Sequence, residues 1–184
     1  PARLSDEISE GVLRTMIDEG PAALEDPEDY DAMAEVMWTS SVSHNEMTGL
    51  GRGVRDFAVH GLGAPLSAHY DAIHGATLSA LWGTWADYVY ESAPGRFARY
   101  ARKVWGAAEE DDLAASRDGI EKTVEFFRSI GAPVSIVELL ERPLSEDEIH
   151  RLALDVTGGG SNRISRVRPL SIEDVEEIYR RANR

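Results

Sequence analysis

Three of the five histidines of this chain, His60, His69 and His74, lie in one short segment that also contains three glycines and a proline. Neutral imidazole is the commonest side-chain ligand for zinc and suits ferrous iron equally well. Two of these histidines, His60 and His74, are therefore predicted to form half of a metal site. The alternative is that they are ordinary hydrogen-bonded histidines.

The spacing of the two histidines limits how they can meet. On one straight helix, positions 60 and 74 share a face but stand about 21 Å apart along the axis. Ligand nitrogens must both lie within about 2.1 Å of a shared metal. The chain must therefore double back between them, and Gly61, Gly63 and Pro65 predict a bend that would allow it.

Other polar residues near the pair have two interpretations each. Asp56, one helical turn before His60, would either orient its imidazole through a hydrogen bond or serve as an ordinary acid at a helix start. His69 would either face the substrate or be a partly exposed loop residue. Asp71 is predicted to cap the helix that carries His74. The remaining histidines, His44 and His150, are interpreted as structural residues without partners of ligand type.

The pattern around these residues is helical throughout and contains no convincing strand, which predicts an all-α fold. The only β-like run, residues 134–140, follows Pro133 and favours a short helix. A first helix is expected to begin at Ser5 and to end at Gly20-Pro21. Another is expected to open at Pro94. The remaining expected helices cover residues 28–47, 54–61, 71–90, 111–130, 145–156 and 171 onwards.

Two of these helices carry specific expectations about burial. Residues 71–90 are apolar on most faces and are predicted to form the central buried helix of the fold. In the second helix, Met37 and Trp38 are expected to lie in the core rather than to contact a cofactor.

Composition excludes several classes of protein. With 19 basic and 33 acidic residues, the net charge of −14 opposes binding to nucleic acid or to an anionic membrane surface. The absence of cysteine excludes disulfides and thiolate sites. No apolar run approaches the roughly 20 residues that span a bilayer, and no signal peptide is evident, so we expect a cytoplasmic protein.

A glycine-rich run, Gly158-Gly159-Gly160-Ser161-Asn162, resembles a phosphate-binding loop. It does not open a helix directly, so a connection between the last two helices is the favoured interpretation. The basic residues beside it, Arg163, Arg166 and Arg168, are expected to pair with acids of a neighbouring helix or subunit, with phosphate binding as the weaker alternative.

The motif His60-x13-His74-Gly75-Ala76, preceded by Asp56-Phe57-Ala58, resembles the signature of the iron-containing (group III) alcohol dehydrogenases, most closely the butanol dehydrogenase branch. Segments 10–15, 20–24 and 169–180 are similar to helices of the same family. The resemblance covers only the C-terminal, helical half of that family. It implies that residues 1–184 form a single helical metal-binding domain, with the nucleotide-binding domain upstream and absent from this chain.

The resemblance also implies a function. Family members hold Fe²⁺ or Zn²⁺ with one aspartate and three histidines, and His60 and His74 match the last two histidines. The intact protein would interconvert primary alcohols and aldehydes with NAD or NADP, as a possible homodimer, and this chain alone would be inactive.

One position departs from the family pattern. Ala64 stands where many members have a further histidine facing the reaction site. No catalytic or cofactor-contacting residue can be named from the sequence. The alternative function is a non-catalytic helical interaction module that retains the fold.

Overall fold

The computed structural model describes residues 2–53 and 55–184, and the predicted start of one helix at Val54 falls outside them. The described residues form nine α-helices and one short 3-10 turn, Tyr90–Ser92, and pair as β-structure only in an isolated bridge between Ile164 and Leu170. The fold class is therefore all-α, as predicted. Among the described residues, no helix is both long enough and apolar enough to cross a membrane. The helices are α1 Arg3–Glu25, α2 Tyr30–His44, α3 Ala58–Tyr70, α4 His74–Val89, α5 Pro94–Val104, α6 Asp112–Ser129, α7 Ile136–Leu140, α8 Glu146–Val156 and α9 Ile172–Ala182.

Helix α4 lies at the centre of the structure and packs against α3, α6, α7 and α9. Its first thirteen residues, 74–86, carry no Asp, Glu, Lys or Arg, and Leu81, Ala86 and Val89 are fully buried. A helix that is apolar on most faces is stable only when it is surrounded by other helices. The predicted central buried helix is confirmed.

Three of the helices begin at the capping residues that the sequence indicates. Ser145 and Ser171 both form reciprocal capping boxes with Glu148 and Asp174, and Asp111 accepts a hydrogen bond from the Ala114 N–H. These side chains satisfy backbone donors that have no partner within the helix. The predicted short helix after Pro133 is also present as α7.

The predicted end of α1 at Gly20-Pro21 is wrong, because the helix continues to Glu25 with Pro21 inside it. Proline removes one backbone hydrogen bond, at a cost of about 3 kcal/mol in an isolated helix. Here Ala23, in the last turn, is buried where α1 packs against α2. The Asp26 N–H ends the helix by donating a hydrogen bond to the Ala22 carbonyl. Tertiary packing therefore outweighs the local signal.

The predicted bend at Gly61, Gly63 and Pro65 is also wrong. Helix α3 runs through all three residues, and Leu62, Pro65 and Leu66 are buried along it. The chain instead reverses over residues 71–73, where Asp71 adopts a left-handed backbone with φ of 54°. The reversal that a shared site requires therefore exists, but it begins at Asp71, eight residues after Gly63.

The prediction that Met37 and Trp38 lie in the core is wrong. Their side chains on α2 are 66% and 64% exposed. Helix α2 packs mainly against α1, so only the face that carries Ala32 and Thr39 is buried. The apolar residues on the opposite face remain in contact with solvent.

Candidate metal centre

The structure brings the two predicted ligands together. His60 lies in the first turn of α3 and His74 begins α4, and the Nδ1 atom of His60 is 3.0 Å from the Nε2 atom of His74. The two ring centroids are 5.2 Å apart. Helices α3 and α4 can approach this closely because Gly63 has no side chain: a Cβ atom there would stand 2.5 Å from the Thr77 Oγ1 atom.

The donor atoms fit a divalent metal. Two nitrogens that bind one tetrahedral zinc at about 2.1 Å lie about 3.4 Å apart, close to the observed separation. Partial desolvation by the packed neighbours lowers the pKa of His60, and the nearby imidazoles of His74 and His44 lower it further. Near neutral pH the ring is therefore uncharged, which is the form that binds metal.

The pair supplies only part of a coordination sphere. Within residues 2–53 and 55–184, no group of three or more His, Cys, Asp or Glu side chains is arranged to hold an ion. Structural and catalytic zinc sites use at least three protein ligands. Any metal held by His60 and His74 would need further ligands from outside the part of the chain that the structure describes.

Exposed apolar side chains flank the pair. The Phe57 ring meets the His60 ring edge-on with 5.4 Å between centroids, and Ile73 immediately precedes His74. Phe57 is 57% exposed and Ile73 is 79% exposed. We did not predict the contact of Phe57 with His60, although its position three residues before the histidine places it on the same side of the helix start.

Two long-range contacts fix the helix that carries His60. The buried Tyr179 hydroxyl on α9 donates a hydrogen bond of 2.7 Å to the Leu62 carbonyl. Burial raises the pKa of Tyr179, so the hydroxyl remains a donor at all ordinary pH values. Helix α3 is thereby held in place against the core on the turn that follows His60.

The second contact is made by Asp56, which does not orient the imidazole of His60. Its Oδ2 atom accepts hydrogen bonds from the Ser165 hydroxyl and from the N–H groups of Arg166 and Val167, and Oδ1 accepts from the Ala58 N–H. Burial raises the pKa of Asp56, but these four hydrogen bonds outweigh it and leave the pKa below its usual value. Asp56 thus acts as a helix-start acid that also fixes the 165–167 loop.

Two other predictions near the site need correction. Asp71 does not cap α4 and instead ends α3 in its left-handed conformation, while Ile73 occupies the N-cap position of α4. His69 lies in the last turn of α3 rather than in a loop, and its Nε2 atom is 2.6 Å from the Asp155 carboxylate on α8. This contact joins two helices and does not involve His60 or His74.

The two remaining histidines differ from each other. His44 bonds within its own helix, with Nδ1 2.9 Å from the Ser40 carbonyl oxygen. His150 does have a partner of ligand type, contrary to expectation, because its Nδ1 atom lies 2.6 Å from Glu176 on α9. Both contacts involve only groups of the helical framework.

The glycine-rich run does not form a phosphate-binding loop. The N–H groups of Gly158, Gly159 and Gly160 donate to Asp155, Leu154 and Thr157 at the end of α8. These amides terminate the helix and are not directed towards an anion. The interpretation of the run as a connection fits this hydrogen bonding.

One of the three arginines beside this run pairs with an acid as expected. Arg168 lies 3.0 Å from the Asp174 carboxylate at the start of α9 and stacks over the Tyr88 ring.

The structure thus defines an all-α framework that carries a pair of adjacent histidines on one surface. The family model for the C-terminal region of Fe-containing alcohol dehydrogenases matches residues 2–183. The chain belongs to this family, and it corresponds to the C-terminal part.

Named relatives agree with this assignment. NADH-dependent butanol dehydrogenase A of Clostridium acetobutylicum is 33% identical over 183 residues, which cover 98% of this chain and 46% of the relative. NADPH-dependent aldehyde reductase YqhD of Escherichia coli is 30% identical, with the same two coverages. The chain thus spans about half the length of the curated relatives that it matches.

Solved structures show the same fold. NADH-dependent butanol dehydrogenase A from Thermotoga maritima superimposes with a TM-score of 0.89 at 31% identity, covering 98% of this chain and 46% of the other. The substrate- and cofactor-free form of YqhD from E. coli superimposes with a TM-score of 0.90 at 28% identity, covering 99% and 47%.

Proposed function

We propose that this chain is the metal-binding half of an NAD(P)-dependent alcohol dehydrogenase that interconverts primary alcohols and aldehydes. The observation that carries the proposal is the 3.0 Å separation of the His60 and His74 nitrogens in a chain matched along its length by the family model. The named relatives support the reaction class, because they are described as butanol dehydrogenases and aldehyde reductases.

In this proposal, His60 and His74 supply two of the protein ligands of a bound Fe²⁺ or Zn²⁺. The metal would act as a Lewis acid on the substrate oxygen while a nicotinamide cofactor gives or takes hydride. The two rings are held in place, because α3 is anchored through the Tyr179 hydroxyl and α4 is the central helix. The aspartate and first histidine of the family's ligand set would come from an upstream segment.

The surface around the pair supports a covering domain. Phe57 and Ile73 are large apolar side chains that remain mostly exposed beside the histidines. Apolar groups at the edge of a catalytic site help to exclude water when a second domain closes over it. We therefore propose that a nucleotide-binding domain, upstream of residues 1–184, faces this surface and that the reaction occurs between the two halves.

Activity assays on two lengths of polypeptide test the proposal. The full-length enzyme and the 184-residue chain would each be mixed with butanal and with NADH or NADPH, and oxidation of the cofactor would be followed by absorbance. We expect turnover by the full-length enzyme and none by the 184-residue chain. Failure of the full-length protein with every primary alcohol and aldehyde tested, with either cofactor, would contradict the proposed reaction.

A non-catalytic interaction module remains the second candidate. The observation that favours it is the exposed apolar face of α2, with Met37 and Trp38 both more than half exposed. A helical protein that has lost catalysis can retain such faces for partner binding. The activity assay distinguishes the two candidates. A dehydrogenase predicts turnover by the full-length protein, whereas an interaction module predicts none.

A further inference from the structure

Helix α2 carries an exposed row of side chains on the face that points away from α1, its main neighbour. This row, called here the α2 seam, comprises Tyr30, Ala34, Met37, Ser41 and His44. Tyr30 is 82% exposed and Met37 is 66% exposed, and none of the five residues is an Asp, Glu, Lys or Arg. Exposed surfaces of this kind mark interaction sites in folded proteins.

The spacing of the α2 seam indicates that its partner is another helix. Its residues follow one another at intervals of four, three, four and three, which is the period of about 3.5 residues seen where helices pack side by side. The small residues Ala34 and Ser41 alternate with larger ones, so each leaves a hollow for a side chain of a facing helix. From position 30 to position 44 the seam extends about 21 Å, which a partner helix of about four turns would cover.

The C-terminal end of the α2 seam lies close to the histidine pair. Ser43, in the last turn of α2, lines a cavity of about 730 Å³ together with Ala2 and Phe57. Phe57 in turn contacts the ring of His60. The α2 seam therefore continues the exposed surface around Phe57 that we propose faces a covering domain.

The start of α1 lies at the same end of the α2 seam. Ala2 lines the cavity just described, and Arg52, in the loop after α2, donates hydrogen bonds to the Ser5 carbonyl and the Ser9 hydroxyl. Helices α1 and α2 therefore run antiparallel. Polypeptide upstream of residue 1 would join the structure beside the end of the seam rather than at a remote surface.

The upstream part of the protein is the occupant that these positions favour. The chain matches the C-terminal region of its family, and more than half of the butanol dehydrogenase from C. acetobutylicum lies outside the match. We propose that a helix of the segment immediately upstream of residue 1 packs along the α2 seam and forms a three-helix layer with α1 and α2. A second copy is a poorer occupant, because chains that each carry a net charge of −14 repel one another. The proposal rests on the proposed function only in requiring an upstream half.

Hydroxyl-radical footprinting of the full-length protein and of the 184-residue chain tests the proposal. Each is oxidised briefly in solution, and the modified side chains are quantified by mass spectrometry of peptides. Met37 and the adjacent Trp38, which is 64% exposed, should be modified readily in the 184-residue chain. In the full-length protein we expect their modification to fall by about fivefold, as a packed helix removes them from water. Leu113, exposed at the start of α6, is the control and should be modified equally in both.

A matched pair of substitutions tests the same contact through stability. Ala34→Glu places a charge in the middle of the α2 seam, and Ala114→Glu places the same side chain at an exposed position on α6. Both should leave the urea midpoint of the 184-residue chain nearly unchanged, because both positions face water there. In the full-length protein only Ala34→Glu should lower the midpoint, since its carboxylate would be buried against a helix.

The segment that covers the α2 seam can be identified by cross-linking. With Trp38 replaced by photoreactive benzoyl-phenylalanine in the full-length protein, we expect cross-links to a peptide directly upstream of residue 1. Cross-links only to a distant part of the chain would overturn the proposal. Protection of Met37 that appears in the 184-residue chain itself and rises with concentration would identify a second copy as the occupant and also overturn it.

Equal modification of Met37 and Trp38 in the two polypeptides would overturn the proposal as well, as would equal effects of the two glutamates in the full-length protein. The activity assay separates these results from the proposed function. Turnover by a full-length protein whose α2 seam is unprotected contradicts only the helix packing, whereas a protected seam without turnover contradicts only the proposed reaction.

Discussion

At the scale of single residues, the candidate site depends on the state of two imidazoles. Partial desolvation and the neighbouring histidines lower the pKa of His60, so its ring is neutral near pH 7. His74 lies within hydrogen-bonding distance of it, which requires that one of the two rings present a free lone pair. A divalent cation would replace this hydrogen bond with two metal–nitrogen bonds.

Replacing Asp56 tests how much its hydrogen bonds contribute to the stability of the fold. Asp56→Ala would remove the acceptor of four hydrogen bonds and is expected to destabilise the chain by about 1–2 kcal/mol near neutral pH. The measurement is urea unfolding of the 184-residue chain. Asp18→Ala, an exposed position on α1, is the control and should change the free energy of unfolding by less than about 0.5 kcal/mol.

The stability difference between the unmutated chain and Asp56→Ala is expected to depend on pH. Because the folded pKa of Asp56 is lowered, its contribution to stability is fully present above the unfolded value of about 3.9 and is lost as pH falls through the folded value. The difference between the unmutated chain and Asp56→Ala should therefore shrink in acid. A difference that is constant or grows as the pH falls would contradict the hydrogen-bonding role assigned here.

At the scale of helices, features set by local sequence are predictable, whereas features set by packing between helices are not. Capping residues such as Ser145 and Ser171 act on their own backbone, so their sequence pattern was sufficient. Pro21 predicts a helix end and Pro65 predicts a bend, but packing against neighbouring helices continues α1 and α3 through them. Trp38 was assigned to the core because the sequence does not say that α2 has a neighbour mainly on one side.

The sequence predicts which residues form the candidate site but not how they come together. His60 and His74 were identified by residue type, spacing and resemblance. The route by which they meet depends on the left-handed turn at Asp71 and on the close crossing of α3 and α4, which no local pattern encodes.

Two glycines on α3 test the importance of that crossing. Gly63→Ala would place a Cβ atom 2.5 Å from the Thr77 Oγ1 atom, which forces the helices apart and is expected to cost about 1–3 kcal/mol. Gly61→Ala adds the same atom two residues earlier, where nothing lies within 4 Å, and should stabilise the helix by up to about 1 kcal/mol.

The measurement is the midpoint of urea unfolding for both variants and the unmutated chain. Opposite shifts of the midpoint are expected. If both variants shift it equally, close packing at residue 63 does not determine how α3 meets α4.

At the scale of the whole molecule, the histidine pair occupies an edge of the structure rather than its interior. The core is built around α4, while His60, His74, Phe57 and Ile73 are exposed on the surface. The chain matches its named relatives over about 46% of their length. We propose that His60 and His74, on an exposed surface flanked by apolar side chains, are one part of a metal site shared between two domains.

The metal content of the full-length protein tests this proposal most directly. After purification, metal would be measured by mass spectrometry for the unmutated protein, His60→Ala, His74→Ala and the control His69→Ala, with circular dichroism to verify the fold. We predict about one Fe²⁺ or Zn²⁺ per chain in the unmutated protein and in His69→Ala, whose histidine pairs with Asp155 instead. Both ligand variants should be folded and largely metal-free, whereas retention of full metal content by either one would contradict the account.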